Sequence, residues 1–305
     1  MFTMTLRPSV TFCIMLMATA AAMEFGSSKV TVSAMLKEHS SCIEQMKAEA
    51  SKVVRNMSIE PYCNDVFYLR FCVSTDYESD ESRLEAFRNT LAWRHQEGKE
   101  VCDAARVAAT EATKEGWDYE PIHKGIPSAI INKFFTPEKV LSIMLPHGDV
   151  MFCMNHGKID DKKLMKSISS PKDVVDFMIY AKEVNAIMAN QRSLQSDRLA
   201  YILTANNLHG ASLASGDRGF RNALNESARL AAKHYPSLTG PTLMLNLPTW
   251  LTSVAKAFAP SEVSHTMRFA QGPLQHVEEL TVIATDGPER ADFFTHLDKL
   301  VYSVL

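Results

Sequence analysis

The chain has 305 residues, enough for one large domain or two of moderate size, with 46% hydrophobic and 22% charged residues. That is an ordinary globular balance and argues against disorder as the default. A net charge of −3 gives no global attraction to nucleic acid or to an anionic membrane, so any membrane contact must be local and largely apolar.

The N-terminus reads apart from the rest. Arg7 is followed by the apolar run Val10–Ala22, with small residues at Ala18-Thr19-Ala20 and Ala20-Ala21-Ala22 that suit a cleavage site. The run is short for a bilayer span, so a secretory signal is favoured over a permanent anchor. The hydroxyl-rich, acid-poor stretch from Phe25 to Ser33 also suits organelle import. Residues 1–35 are therefore expected to be a targeting segment, for the secretory pathway or an organelle; the alternative is a cytoplasmic protein that associates peripherally with membrane. Beyond it, Cys42, Cys63, Cys72, Cys102 and Cys153 are an odd set without CxxC spacing, so buried free thiols are expected. Asn56-Met57-Ser58 and Asn225-Glu226-Ser227 match the glycosylation acceptor pattern, which matters only in a secretory lumen.

From Met35 to about Lys114 the pattern predicts helices and no strand. Met35–Val54 has helical propensity, and Tyr62–Cys72 is short and apolar. Ser79-Asp80-Glu81 is a helix start, followed by Leu84, Phe87 and Leu91 at helical spacing with Trp93 alongside. Val101–Thr113 is an Ala-rich helix, and Gly116–Pro127 reads as a linker. The pattern then changes. Val140–Leu145 and Val150–Met154 are strand candidates around the turn Pro146–Asp149. Ser170, Pro171 and Asp173 open a helix whose apolar face carries Val174, Phe177, Ala181, Val184 and Met188. Leu199–Ala205 is a strand, and a helix runs from about Gly216 to His234. Tyr235–Pro236 and Gly240–Pro241 punctuate a turn into the strand Thr242–Leu247. Pro248 sets up a helix over Thr249–Ala259 with one apolar stripe, Trp250, Leu251, Val254 and Phe258. Periodicity alone makes that an ordinary helix laid on a core; the sharper reading is a lid over an apolar cavity. Met267–Ala270 is extended, and Ala291–Val301 closes with a helix. Strands alternating with helices predict an α/β fold with a mostly parallel sheet, after an all-helical N-terminal part. The division expected is 36–118 for the helical region and 119–305 for the α/β domain.

Catalytic and metal signatures are sparse. There is no P-loop, no Gly-x-Gly-x-x-Gly after a strand and no HExxH. Gly210-Ala211-Ser212-Leu213-Ala214 lacks the final glycine of a nucleophile elbow, so Ser212 suits a pocket wall better than an esterase nucleophile. The ten His are scattered without ligand spacing, and no metal or cofactor is expected. Asp160–Asp161 before Lys162–Lys163 is a charged helix start rather than an acid–base pair. Arg218, Arg221, Arg229 and Lys233 lack interleaved aromatics, so nucleic acid is not an expected partner.

Several motifs, in order, carry a resemblance. Phe67-Tyr68-Leu69-Arg70-Phe71, the helix ending Trp93–Arg94, the turn His147-Gly148-Asp149-Val150, Gly157-Lys158-Ile159-Asp160, Asn207-Leu208-His209-Gly210-Ala211-Ser212, and Tyr235–Pro236 before the 242–259 stretch succeed one another over most of the chain. In this order they resemble the CRAL-TRIO lipid-binding family, the phosphatidylinositol-transfer-protein-like fold. The resemblance implies binding and intermembrane transfer of a hydrophobic lipid, without catalysis, with a transient membrane surface as second partner. It implies a pocket floored by Thr242–Leu247 and Leu199–Ala205, with Tyr201, Leu203, Ser212, Leu243 and Leu245 as lining. It implies a gate helix carrying Trp250, Leu251, Val254 and Phe258. Arg268 falls near a family lysine that meets the inositol phosphate. The family's Asp is Asn207 here, the Glu after Tyr-Pro is Ser237, and its basic pair is replaced within Ser74-Thr75-Asp76-Tyr77. The resemblance therefore stops short of the family's standard grip on phosphatidylinositol, and phospholipids, sterols, tocopherol-like lipids and retinoids all suit the expected cavity. Two other readings stand beside it: a lipid hydrolase or acyl-handling enzyme using Ser212, and a degenerate fold serving as a protein scaffold.

Overall fold

The computed structural model describes residues 30–53, 64–115, 121–124, 130–210, 216–246, 267–269 and 280–302. In chain order the helices α1 (Val32–Glu38), α2 (Ser40–Val53), α3 (Asp65–Val73), α4 (Asp80–His95), α5 (Lys99–Glu115) and the short α6 (Pro121–Lys124) precede the first strand. Strands β1 (Val140–Met144) and β2 (Val150–Asn155) follow, then α7 (Asp161–Ser167), α8 (Lys172–Ser196), β3 (Ile202–Asn207), α9 (Arg218–His234), β4 (Thr239–Leu245) and β5 (Met267–Phe269). Two helices, α10 (Leu280–Ala284) and α11 (Pro288–Val301), close the described chain.

The five strands stand in sequence order. The β1–β2 pair is an antiparallel hairpin, and β2, β3, β4 and β5 run parallel. This is the α/β architecture with a helical N-terminal part and a mostly parallel sheet that the sequence predicts. Period-2 alternation divides the apolar residues between two cores. On one face Val150, Phe152, Met154 and Ile202 pack with α8, α9 and α5. On the other, Leu141, Ile143, Met151, Cys153, Leu203, Ala205, Leu243 and Leu245 join Ile283 of α10, Phe293, Leu297 and Val301 of α11, and α1–α4.

Local rules account for most boundaries. Ser79 caps α4 and exchanges bonds with Ser82 in a capping box, as the Ser-Asp-Glu start predicts. Asp160 caps α7 and Asp217 caps α9. Gly157 is obligatory, because a Cβ there would lie 1.9 Å from the carbonyl oxygen of His209. Other expectations needed revision. The helix expected over Met35–Val54 is interrupted at His39, between α1 and α2. Thr31 to Met35, set aside with the targeting segment, belong to the fold: Thr31 caps α1, Val32 and Met35 are buried, and Asp197 accepts bonds from the amide and hydroxyl of Ser33, both at 2.7 Å. The cysteines are divided. Cys102 and Cys153 are buried free thiols, but Cys42 and Cys72 form a disulfide that ties α2 to α3 across a separation of 30 residues. Nothing in the local spacing reveals that pair; the packing of α2 on α3 does.

Buried charge locks the helical part to the rest. Arg94 of α4 makes a two-point ion pair with Glu183 of α8, at 2.9 and 2.6 Å, both side chains 2% exposed. Arg70 of α3 is likewise buried, and donates to Asn190 Oδ1 of α8 (2.7 Å) and to the carbonyls of Ala200 (2.6 Å) and Ser237 (2.6 Å).

Two stability outcomes follow. Arg94→Ala leaves Glu183 buried without its partner and is expected to cost about 3–5 kcal/mol in urea unfolding, while Arg94→Met with Glu183→Met recovers most of it. Equal losses in the single and double variants would contradict this account. Reducing the Cys42–Cys72 bridge, or replacing both by Ser, is expected to lower stability by about 3–4 kcal/mol, from the loop it closes in the unfolded chain.

Candidate functional site

Strand register brings one residue from each strand into a single row. Leu141 pairs with Cys153, Cys153 with Ala205, Ala205 with Leu243, and Leu243 with Arg268. Register partners share a face, so four apolar side chains lead to one half-buried cation at the β5 edge. Leu203 stands two residues before Ala205, beside Met151, and Leu245 two after Leu243, so both lie on this same face. Tyr201 precedes β3 on that face and joins the same core. The structure thus brings together Tyr201, Leu203, Leu243, Leu245 and Arg268 of the expected site. Ser212 and the stretch Thr249–Ala259, with Trp250, Leu251, Val254 and Phe258, lie outside the described residues.

The face has unlike ends. At the carboxyl end, Asn155, Asn207 and Leu245 form the next row, and the two amides are buried. Asn207 Oδ1 accepts from the amide of His209 (2.9 Å) and from Asn246 Nδ2 (3.0 Å), which knots the exits of β3 and β4. Asn246 has φ of 53°, a left-handed conformation that Asn tolerates better than most residues. His156 Nε2 donates to Asn206 Oδ1 at 3.0 Å, and burial holds its proton affinity below the ordinary value.

At the amino end, Asp149 is fully buried. Its carboxylate accepts two bonds from Arg198 (2.8 Å each), one from the Tyr201 amide (2.8 Å) and one from the Tyr302 hydroxyl (2.6 Å). Burial, then the Asp149 charge, pushes the Tyr302 phenol well above its usual range, so it stays a proton donor. Tyr302 also packs on His147, ring centres 4.4 Å apart, and His147 bonds Asp298 at 3.2 Å. This clamp seats α11 on the β1–β2 turn. Asp149 is legible in the sequence only as a turn residue; its partners lie 49 and 153 positions away.

The Tyr235–Pro236 turn is where the helical part meets the sheet. A cavity of about 20 Å³ there, room for a water, is lined by Arg70, Arg94, Glu183, Asn190, His234 and Tyr235 among others. His234 stacks on Trp93, ring centres 4.4 Å apart, and shares a 3.1 Å bond with Thr90. Among the described residues no group of His, Cys, Asp and Glu could hold a metal ion, and no helix is long and apolar enough to cross a membrane.

Together the sheet order, the covered parallel sheet and the helical N-terminal part define an α/β fold with an all-helical start and a mostly parallel sheet. The chain is similar to the crystal structure of Sfh5, at 14% identity and a TM-score of 0.50, over 81% of this chain and 82% of that one. At that identity the likeness is one of fold. No protein-family model and no curated protein matches the chain.

The His234 environment sets a pH dependence. Burial, then the charges of Lys233 and Arg94, lowers its pKa from 6.5 to about 4. Between those values the unfolded chain binds a proton that the folded chain refuses, so stability is expected to fall as pH drops from 6.5 toward 4. Urea midpoints across that range check this, and His234→Gln should flatten the slope; an unchanged slope would assign it to other groups.

Proposed function

We propose that the chain is a non-catalytic carrier that binds a hydrophobic lipid, a phospholipid or another small lipophile, and moves it between membranes. The observation that carries this reading is the fold, whose parallel sheet presents one continuous apolar face of Leu141, Cys153, Ala205, Leu243, Leu203 and Leu245, covered by α10 and α11 among the described residues and edged by Arg268. The fold's likeness to Sfh5 and the motif order that resembles the CRAL-TRIO family support it at the level of architecture. An acyl chain loses about 0.8 kcal/mol per methylene on leaving a bilayer for water, so a carrier must supply an apolar pocket and a door. In this reading Tyr201, Leu203, Ser212, Leu243 and Leu245 line the pocket. Thr249–Ala259 is the gate, its stripe of Trp250, Leu251, Val254 and Phe258 facing ligand when closed and bilayer when open. Arg268 meets a polar or phosphate headgroup, since a charged headgroup needs a cationic donor once desolvated. The partners are the lipid and, transiently, a membrane. The Cys42–Cys72 disulfide and the signal-like N-terminus together support an oxidising compartment.

Mass spectrometry of lipid extracted from the natively purified protein should find a stoichiometric ligand. Leu203→Met with Leu243→Met, which keeps the core volume, should lower the amount of lipid bound, with thermal unfolding to show that the variant is folded. Trp250→Asp with Phe258→Asp should abolish transfer between vesicles, and Ser212→Ala should leave transfer intact. No bound lipid in the wild type and unchanged transfer in the gate variant would overturn the carrier reading.

A further inference from the structure

The carboxyl end of the sheet carries an unbalanced positive surface. Lys158, in the turn after β2, Lys162, Lys163 and Lys166 of α7, and Arg218 at the start of α9 are all exposed. None of their side chains makes a hydrogen bond or ion pair among the described residues. Several other surface cations are paired, such as Lys99 with Asp103, Lys172 with Asp176, Arg229 with Glu226 and Arg290 with Asp286; what sets this group apart is that five cations gather on adjoining elements.

Three acids interleave with this set, and each is already engaged by the backbone. Asp160 accepts from the Lys163 amide (3.0 Å), Asp161 from the Asp217 amide (2.7 Å), and Asp217 from the Phe220 amide (3.0 Å). The carboxylates thus turn toward the chain, while the ammonium groups are left to solvent. The Asp161–Asp217 bond also joins α7 to the start of α9. Gly219 lies so close that an added Cβ would stand 3.0 Å from Met165 Cε. The cations therefore belong to one surface rather than to two independent elements.

The position of this surface suggests its use. Its first element follows directly from the end of β2, and Gly157 touches the carbonyl of His209 just past the end of β3. The chain leaves β4 at this same end, after Leu245, and runs into the stretch Pro248–Ala259. We propose that Lys158, Lys162, Lys163, Lys166 and Arg218 form a docking surface for an anionic bilayer, which sets the exit of β4 against the membrane. The purpose rests on the carrier reading, but the electrostatics do not. With a net charge of −3 the whole chain is not drawn to such a surface, so a local patch orients it. Each Lys or Arg close to an anionic leaflet raises affinity by roughly fivefold, and salt screens the gain. The set lacks interleaved aromatic side chains for stacking bases, which favours a membrane over single-stranded nucleic acid.

The test is flotation of the full chain with phosphatidylcholine vesicles and with phosphatidylcholine–phosphatidylserine vesicles. The wild type should prefer the anionic vesicles, and added salt should remove the preference. Lys162→Glu with Lys163→Glu and Lys166→Glu should weaken anionic binding by roughly tenfold or more. The corresponding Gln variant should fall between it and the wild type, and thermal unfolding should confirm that both are folded. Lipid uptake from neutral vesicles is measured separately. Anionic preference without any lipid uptake would sink the carrier reading and sustain the docking surface. No anionic preference in the wild type, its survival in the Glu variant, or capture of soluble polyanions such as heparin in place of vesicles would overturn the docking surface.

Discussion

A buried guanidinium without a carboxylate against it must find its acceptors among neutral groups, and Arg70 does so at a junction. Its three bonds reach Asn190 on α8, the carbonyl of Ala200 before β3, and the carbonyl of Ser237 before β4. Burial lowers its pKa to about 10, which still leaves it charged at neutral pH. Losing any one acceptor would leave a charge in an apolar surrounding, which is among the most costly defects a fold can carry. One side chain of the helical N-terminal part therefore fixes where two central strands begin. The Arg94–Glu183 pair, on the same side of α8, holds the second point of that joint.

With the strand starts set, the sheet acquires two chemically distinct ends. The amino end is closed by Arg70 and by the clamp of Asp149, Arg198 and Tyr302, in which a buried carboxylate is fully satisfied by four donors. The carboxyl end is stitched by polar side chains without a carboxylate or a Lys or Arg among them, Asn246 to Asn207 and His156 to Asn206. Neutral amides hold the strand exits together without the desolvation cost of ions. Between these ends lies the apolar face, and outside the carboxyl end lies the surface of unpaired lysines.

Much of this was legible in the sequence, for definable reasons. The strands β1 and β2 were readable because Pro146–Asp149 is a turn between two apolar runs. The caps Ser79, Asp160 and Asp217 act within three residues, a range that sequence reading covers well. Leu203, Leu243 and Leu245 could be placed on strands, but their common face depended on register. Arg70 and Arg94 stood within motifs of the resemblance, yet the sequence did not say that they bind α8 and two strand entrances. The roles of Tyr302 and Arg198, and the joining of Lys162–Lys163 and Arg218 into one surface, depend on residues far along the chain, which no local pattern carries.

By itself, then, the sequence determined the element types, the change from all-helical to α/β, and the apolar character of the strands. Those depend on short-range rules: periodicity, capping and turn chemistry act over a few residues. Only the tertiary structure decided that Cys42 bonds Cys72, that Val32 belongs to the core, and that Leu141, Cys153, Ala205, Leu243 and Arg268 form one row. The physical reason is common to all three. Disulfide pairing, burial and strand register are properties of two surfaces brought together, and a linear pattern carries each surface without naming its mate.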